Sequence, residues 1–355
     1  MDKIKTLQAQ MPENIEAIII EDNINRFYFS GMKSSAGTLL ISKTDAVLFI
    51  DFRYIEDAEK KVLNCKVLEE TDLYFQIEQW IKSRQLNKIS VLSSYITVKK
   101  LKSLKNKLNS IEIDDSEEAD KIIKKMRKKK DEEEIAFHRE AQRITDQVYS
   151  HICNFIRPGM TELEVSQEIG VTLTRLGSED RNFNFIVASG KNSSLPHGFA
   201  TNKKIEYGDF VTMDFGAVCG GRLADMTRTV GIGKINEEQK KIYEIVKEAQ
   251  KRALDAIRPG IVCSDIDKIA REYIYGLGYK NCFSHGLGHS VGIEVHEDPR
   301  FNTVCREILE PGIIITVEPG IYIKGKYGVR IEDMVLVTQD GIDDFTKSNK
   351  ELIIL

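Results

Sequence analysis

The sequence lacks any long apolar run, since no stretch of about 18 apolar residues, enough to span a membrane, occurs in the chain. Its amino terminus, MDKIKTLQAQMPENIEA, also has no apolar run of the kind found in signal peptides. An excess of one charge sign is missing too, because 51 Lys and Arg stand against 55 Asp and Glu. We therefore expect a soluble, cytoplasmic protein with no membrane and no nucleic-acid partner.

Cysteine is scarce and scattered. The six cysteines show no C-x-x-C spacing and stand at positions 65, 153, 219, 263, 282 and 305. This distribution argues against a zinc knuckle and against a disulfide framework. Because free cysteine behaves as a small buried hydrophobic residue, we expect reduced thiols in the core.

The length of 355 residues exceeds one typical core, so we expect two domains. Residues 1 to about 120 alternate short β-rich runs with charged helical stretches, which predicts α/β units with a mixed sheet. A basic block then meets an acidic one at 124–135, and a helix is predicted to begin at Asp131 to Glu134. We place the domain limits at 1–122 and 123–355.

The second domain repeats itself. One amphipathic helix ends at Arg157-Pro158-Gly159 and another, over about 238–257, ends at Arg258-Pro259-Gly260. The next helix of each half is predicted to begin with a capping pair, Thr161 with Glu164 and Ser264 with Asp267. EYGDFVTMDFG at 206–216 also aligns with EPGIIITVEPG at 310–320, at a constant offset of 104 residues. A duplicated unit predicts a pseudo-two-fold domain whose acids converge on the symmetry axis.

Acidic residues occupy equivalent places in the two halves. Asp214 lies inside an apolar strand, and the chain returns after Cys219-Gly220-Gly221 to bring Asp225 onto the adjacent antiparallel strand. Glu318 follows the apolar run IIITV, and Glu332 lies in YGVRIEDMVLV, where Arg330 is predicted to share its face of the strand. Because an unpaired carboxylate is costly to bury, the four acids require a cation.

Histidines add nitrogen donors to this set of acids. The segment SHGLGHSVGIEVHE contains His285, His289 and His296. One imidazole beside four carboxylates predicts a site for two divalent metal ions, such as manganese, cobalt, iron or zinc. A dinucleotide-binding loop is excluded, since the Gly286-x-Gly288 pair is followed by Val291 where the G-x-G-x-x-G motif needs glycine.

At these residues the chain resembles the pita-bread metallopeptidases, in the branch that contains Xaa-Pro aminopeptidases and prolidases. The resemblance covers the whole length, with NRFYFSG (25–31) and IDFRY (50–54) typical of a creatinase-like amino-terminal domain. It implies an α/β (α+β) architecture, with that domain followed by a pseudo-two-fold catalytic domain. It also implies five metal ligands: Asp214, Asp225, His289, Glu318 and Glu332, of which Asp225 and Glu332 contact both metals.

The resemblance extends to supporting residues of the family, which match His197, His285, His296, Tyr322 and Arg330. One departure is Ser290, where relatives often carry glycine, and it bears on substrate fit. The implied mechanism uses a metal-bridging hydroxide, with Glu318 as the proton acceptor and donor. His296 and His197 donate to the carbonyl oxygen, His285 lines the proline pocket, and Arg330 orients Glu332.

Several activities fit this resemblance. We predict removal of the first residue from peptides with proline second, by a dinuclear metallo-aminopeptidase of the Xaa-Pro type. A prolidase, which cleaves only Xaa-Pro dipeptides, is the alternative, and a noncatalytic peptide-binding module is a more distant one. Manganese is the expected metal, with cobalt, zinc or iron as alternatives, and the resemblance implies a homodimer.

Overall fold

The structure is a computed structural model that describes residues 2–179 and 185–355. Its chain divides into two units, Met1–Arg127 and Lys128–Leu355. The limits 1–122 and 123–355 predicted from the sequence stay a proposal for where the chain separates into domains. In the described ranges, no helix combines the length and the apolar character needed to cross a membrane.

The first unit is built on a six-stranded sheet. Its strands are β1 (Ala17–Ile20), β2 (Thr38–Ser42), β3 (Ala46–Ile50), β4 (Lys66–Glu69), β5 (Lys88–Val91) and β6 (Glu112–Asp114). Its helices are α1 (Lys3–Gln10), α2 (Asn23–Ser30), α3 (Ile55–Lys61), α4 (Leu73–Lys82), α5 (Val98–Lys107) and α6 (Glu118–Lys128).

The sheet of the first unit is mixed, as the sequence predicts. Its strand order is β4-β3-β2-β1-β5-β6. Strand β2 runs antiparallel to both neighbours, whereas the other adjacent strands are parallel. Every residue of β1, β2 and β3 is buried, which explains their nearly continuous apolar runs.

The second unit carries four helices and two larger sheets within its described residues. Its helices are α7 (Glu132–Phe155), α8 (Glu162–Arg175), α9 (Glu237–Ala256) and α10 (Cys263–Gly276). Its strands are β7 (Ile186–Ser189), β8 (Phe210–Phe215), β9 (Val218–Cys219), β10 (Arg222–Leu223), β11 (Met226–Gly231), β12 (Gly288–Ser290), β13 (Glu297–Phe301), β14 (Ile314–Val317), β15 (Gly320–Ile323), β16 (Tyr327–Arg330), β17 (Asp333–Val337) and β18 (Ile342–Asp344). The larger sheets have the orders β11-β8-β7 and β13-β12-β14-β17-β18.

The predicted duplication is visible in backbone contacts. The Gly159 N–H donates to Ile205 O at 2.8 Å, and the Gly260 N–H donates to Leu309 O at 2.9 Å. The turn after the first helix of each half is therefore hydrogen-bonded to the equivalent segment of that half. Gly208 and Gly312 take nearly the same left-handed conformation, with φ of 89° and 92°. Each half therefore pairs two helices, α7 with α8 and α9 with α10, and two central antiparallel strands.

Helix starts agree with the sequence in one half and differ in the other. Asp131 with Glu134, and Thr161 with Glu164, form capping boxes at α7 and α8. The predicted capping role of Ser264 was wrong, because α10 begins at Cys263 and its cap residue makes no side-chain hydrogen bond. Asp267 instead binds Arg271 through two 2.7 Å contacts.

The six thiols are all unpaired, as expected. Cys219 and Cys263 are buried, and the other four are partly buried. Burial raises the pKa of the Cys263 thiol to about 12 and that of Cys219 to about 11. Both thiols therefore stay protonated and unreactive at neutral pH.

His138 makes the folding stability of the second unit depend on pH in a predictable direction. The ring is fully buried, one nitrogen contacts Leu223 O at 2.7 Å, and the other has no partner among the described residues. Burial, followed by the charge of Lys130, lowers the pKa of His138 from 6.5 to about 3. The unfolded chain therefore binds the proton first, and the folded state loses stability as pH falls from 6.5 towards 3.

We predict that replacing His138 with Gln flattens this dependence. The wild type should lose up to about 1.4 kcal/mol of unfolding free energy per pH unit through this residue, and the variant should lack that contribution. Denaturant unfolding between pH 7 and pH 4.5 measures the two slopes. Equal slopes in both proteins would contradict the prediction, whatever their absolute stabilities.

Candidate metal centre

Asp214 and Asp225 lie at the same end of two hydrogen-bonded strands. Strands β8 and β11 are antiparallel, with Asp214 opposite Thr227 in the register. Asp225 directly precedes β11, so it lies beside the end of β8 that carries Asp214. The predicted pairing of the two antiparallel strands is confirmed, but Asp225 lies one residue before its strand rather than on it.

The other two acids lie just outside their strands. Glu318 directly follows β14, and its backbone N–H donates to Leu287 O at 2.7 Å. Glu332 stands between β16, which ends at Arg330, and β17. The prediction that Arg330 and Glu332 share one strand was therefore wrong. The Glu332 N–H donates to Thr227 O at 3.0 Å, which fixes this acid against the first half.

His289 reaches these acids from β12. Its Nε2 lies 3.4 Å from Glu318 Oε1 and 3.7 Å from Asp225 Oδ2. Ligand atoms of Asp225, His289 and Glu332 all lie within 4.8 Å of one another, and the three residues are buried. Gly288 allows β12 to lie close to β14, because a Cβ at this position would be 2.0 Å from the Thr316 carbonyl oxygen of β14.

The buried acids raise one another's proton affinity. Burial and the charges of Glu332, Asp214 and Glu318 raise the pKa of Asp225 well above its usual range. Burial and Glu332 have the same effect on the pKa of Glu318, whereas burial and Asp214 raise the pKa of Glu332 to about 8. Burial lowers the pKa of His289 to about 3, so its ring is neutral and can act as a metal ligand.

This donor set fits divalent metal ions. Asp214 Oδ1 is buried and accepts no hydrogen bond from the described residues, although Oδ2 accepts one from Arg330 at 2.7 Å. A buried carboxylate oxygen without a donor is strongly unfavourable unless a cation meets it. Four carboxylates and one neutral imidazole are ligands that manganese, cobalt, iron and zinc accept.

Arg330 supports the acids in a different way from the one predicted. Its Nη2 donates to Asp214, and its Nε donates to Thr227 Oγ1 at 3.0 Å. Thr227 Oγ1 in turn donates to Glu332 Oε2 at 2.7 Å. Arg330 therefore acts on Glu332 through Thr227, and its direct carboxylate partner is Asp214.

Tyr322 connects Arg330 to His285. The Arg330 Nη1 donates to the Tyr322 hydroxyl at 2.8 Å, and that hydroxyl lies 3.0 Å from His285 Nε2. The other ring nitrogen of His285 contacts Gly286 O at 2.7 Å, as a donor. Burial and Arg330 lower the pKa of His285 to about 4, so the ring is neutral and accepts the Tyr322 proton.

A cavity of about 550 Å³ opens onto the acids. All five predicted ligands line it, together with His197, His285, His296 and Arg330. His197 and His296 are exposed, and the rings of His289 and His296 lie 4.3 Å apart in an edge-to-face arrangement. Tyr322 lies behind this lining, where it contacts Arg330 and His285.

Glu162 is a buried acid that the sequence analysis missed. It accepts hydrogen bonds from Ser189 N at 2.6 Å, from Asn192 Nδ2 at 3.1 Å and from Thr201 Oγ1 at 2.6 Å. These contacts hold the segment that carries His197, and Pro196 of the same segment accepts from Arg330 at 3.0 Å. Its only sequence signal is position N1 of a capped helix, which does not distinguish it from a solvated acid.

Ser290 does not line the cavity. Its hydroxyl donates to Ile314 O at 2.6 Å and so joins β12 to β14. The departure from glycine at this position therefore adds a contact between strands, and the expected effect on substrate fit has no counterpart in the cavity wall.

Comparisons with known proteins agree with this geometry. The model of metallopeptidase family M24 matches residues 136–339, and that of the creatinase/prolidase N-terminal domain matches residues 3–129. The chain is 38% identical to an Xaa-Pro dipeptidase of Pyrococcus horikoshii, over 99% of each chain.

Solved structures show the same similarity. An Xaa-Pro dipeptidase from Bacillus anthracis superimposes with a TM-score of 0.95 at 38% identity, covering 100% of this chain and 99% of that one. An X-Pro aminopeptidase from Thermotoga maritima has a TM-score of 0.92 at 32% identity, covering 99% of this chain and 100% of that one. The described architecture is therefore the two-part architecture predicted from the sequence.

We predict that metal ions stabilise the protein through these acids. After chelation, adding manganese at about 100 times its dissociation constant should raise the unfolding free energy by about 2.7 kcal/mol. Replacing Glu332 with Gln keeps the size of the side chain and should abolish most of this gain. Thermal unfolding with and without manganese measures it.

Asp267→Asn is the matched control, because Asp267 is an equally buried acid that pairs with Arg271. This variant should be less stable but should keep its response to manganese. A full manganese response in Glu332→Gln would contradict the assignment of Glu332 as a ligand.

Proposed function

Because this chain belongs to metallopeptidase family M24, we propose that it hydrolyses the peptide bond between an amino-terminal residue and a following proline, with Xaa-Pro dipeptides as the favoured substrates. The observation that carries the proposal is the cavity that contains four convergent acids, the neutral imidazole of His289 and three further histidines. Relatives named as Xaa-Pro dipeptidases support the choice of bond. Release of the first residue from longer peptides, which the sequence favoured, is the second candidate.

The five ligands of the proposal are Asp214, Asp225, His289, Glu318 and Glu332, and they would hold two divalent metal ions. Such ions supply Lewis acidity and lower the pKa of water. Manganese is the proposed metal, with cobalt, zinc or iron as alternatives. A homodimer and a cytoplasmic location stay predictions from the sequence.

Glu318 is the proposed proton carrier. It follows β14 directly, and its carboxylate faces His289 at 3.4 Å inside the cavity. Burial and Glu332 raise its pKa well above the usual range in the metal-free chain, and a divalent cation would favour the ionised carboxylate, which can accept a proton. Glu318 would accept a proton from the attacking water and deliver it to the proline nitrogen as the bond breaks.

His197 and His296 are the proposed donors to the scissile carbonyl. Both rings line the cavity and remain accessible to a ligand, and partial burial, followed by the charge of Arg300, lowers the pKa of His296. A neutral imidazole still carries one N–H, which can donate to the oxygen as negative charge develops there. His285 has a ring held by Tyr322 and is proposed to contact the proline ring.

Arg300 is the proposed residue that makes the site prefer dipeptides over longer peptides. Among the described residues, two arginines line the cavity, and Arg330 is buried in its contacts with Asp214, Tyr322 and Thr227. The Arg300 side chain is 50% exposed and lies 3.6 Å from Asp298, so its guanidinium can reach a ligand. The free carboxylate of an Xaa-Pro dipeptide is such a ligand, whereas a longer peptide has a neutral amide at that position.

We predict that replacing Glu318 with Gln lowers kcat by at least about 100-fold while metal content stays at the wild-type value. The amide cannot carry the proton, although it has the size of the carboxylate. Turnover of an Xaa-Pro dipeptide and elemental analysis of the same sample measure both quantities. Wild-type turnover at full metal content would remove Glu318 from its proposed role.

We further predict that the wild-type enzyme cleaves Xaa-Pro dipeptides faster than Xaa-Pro-Xaa peptides, as shown by mass spectrometry of the products. Replacing Arg300 with Met should raise KM for the dipeptide by about tenfold or more, because a charged hydrogen bond is lost, and should leave KM for the longer peptide unchanged. Arg306→Met is the control, since Arg306 carries the same charge outside the cavity lining.

Faster release of the first residue from longer peptides would establish the aminopeptidase instead. Cleavage of neither substrate by the metal-loaded enzyme would count against both candidates and favour the peptide-binding module.

A further inference from the structure

The first unit contains a second cavity, of about 360 Å³. It lies at the carboxyl ends of parallel strands, because its lining includes Ile19 and Glu21 at the end of β1 and Val91 and Leu92 at the end of β5. Glu70, directly after β4, also lines it. This volume lies within the range of small-molecule sites, about 300–1,000 Å³.

The chain path makes this position distinctive. After β1 the strands β2, β3 and β4 are laid down on one side of β1, and the chain then crosses to the other side to form β5 and β6. The crossing direction therefore reverses between β1 and β5. In open α/β sheets, the loops leaving two such neighbouring strands separate at their carboxyl ends, and ligands bind in the crevice that results.

The charged side chains that line the cavity are three acids, Glu21, Asp22 and Glu70, and one base, Lys100. Lys100 Nζ lies 2.8 Å from Glu21 Oε1, and the two side chains are 36% and 18% exposed. Glu21 Oε2 accepts no hydrogen bond from the described residues. The three carboxylates attract an ammonium group and disfavour a phosphate, whereas Lys100 disfavours a bare metal ion and provides the positive charge for a ligand carboxylate, so a ligand with both charges fits the wall.

The rest of the wall is largely apolar. Its apolar side chains are Ile19, Leu73, Val91, Leu92 and Ile96. An apolar group placed among them would leave water, which contributes about 25 cal/mol for each Å² buried.

We infer that this cavity is a binding site for a free apolar α-amino acid. The ammonium group of the ligand pairs with Glu21, its carboxylate pairs with Lys100, and its side chain packs among the apolar residues. The site shares no residue with the metal centre, and the inference does not depend on the proposed peptidase activity.

Methyl NMR of the full chain can separate the two cavities. Ile19 and Ile96 line the cavity of the first unit, and Ile186 lines the catalytic cavity. Titration with L-leucine should shift the methyl signals of Ile19 and Ile96 in a saturable way. Leucinamide, which lacks the carboxylate, and 4-methylpentanoate, which lacks the amine, should each bind about tenfold more weakly or worse.

Two variants test the residues of the site. Lys100→Met should weaken leucine binding by about tenfold or more, since a charged hydrogen bond is lost, whereas Lys102→Met, an exposed change on the same helix, should not. Leu92→Phe should block the site by filling it, with no change of charge.

The inference is overturned if leucine shifts only Ile186, if no methyl signal moves, or if Lys100→Met and Lys102→Met bind leucine equally. It is also overturned if both leucine analogues bind as well as leucine. Peptidase activity enters none of these readouts, so failure here is distinct from failure of the proposed function.

Discussion

The structure depends on the convergence of four acids on one cavity beside the buried Arg330: Asp225 and Glu332 are buried, and Asp214 and Glu318 are partly buried. Burial, followed by mutual repulsion, raises the pKa of three of these acids, and Asp214 keeps one oxygen without a donor in the described chain. Such an arrangement is unfavourable for the protein alone and becomes favourable when divalent cations neutralise it. The surrounding packing must therefore hold the acids in place against their own repulsion.

Contacts between the two duplicated halves provide that restraint. Arg228 of β11 is fully buried and donates to Asp333 at 2.7 Å and to Glu332 O at 2.7 Å. The hydroxyl of the neighbouring Thr227 accepts a hydrogen bond from Arg330 and donates one to Glu332. The strand that follows Asp225 thus fixes the position of Glu332, so that neither half forms the centre alone.

The offset of 104 residues predicts the duplication, and the four acids and His289, which the family resemblance implies as ligands, all line one cavity. The sequence does not predict that Arg330 contacts Asp214, since that pairing joins strands of different halves. Glu162 was missed because its partners, Ser189, Asn192 and Thr201, lie 27 to 39 residues further along the chain, and the sequence spacing contains no sign of them. The capping pair predicted for Ser264 and Asp267 does not form, because Asp267 makes an ion pair with Arg271 instead.

Anomalous X-ray diffraction from crystals grown with manganese would locate the metal ions. We expect two anomalous peaks inside the cavity, in contact with the carboxylates of Asp214, Asp225, Glu318 and Glu332 and with His289. Loss of both peaks in Glu332→Gln crystals would agree with this expectation. Absence of anomalous density in the wild-type cavity, or manganese bound only elsewhere on the protein, would contradict it.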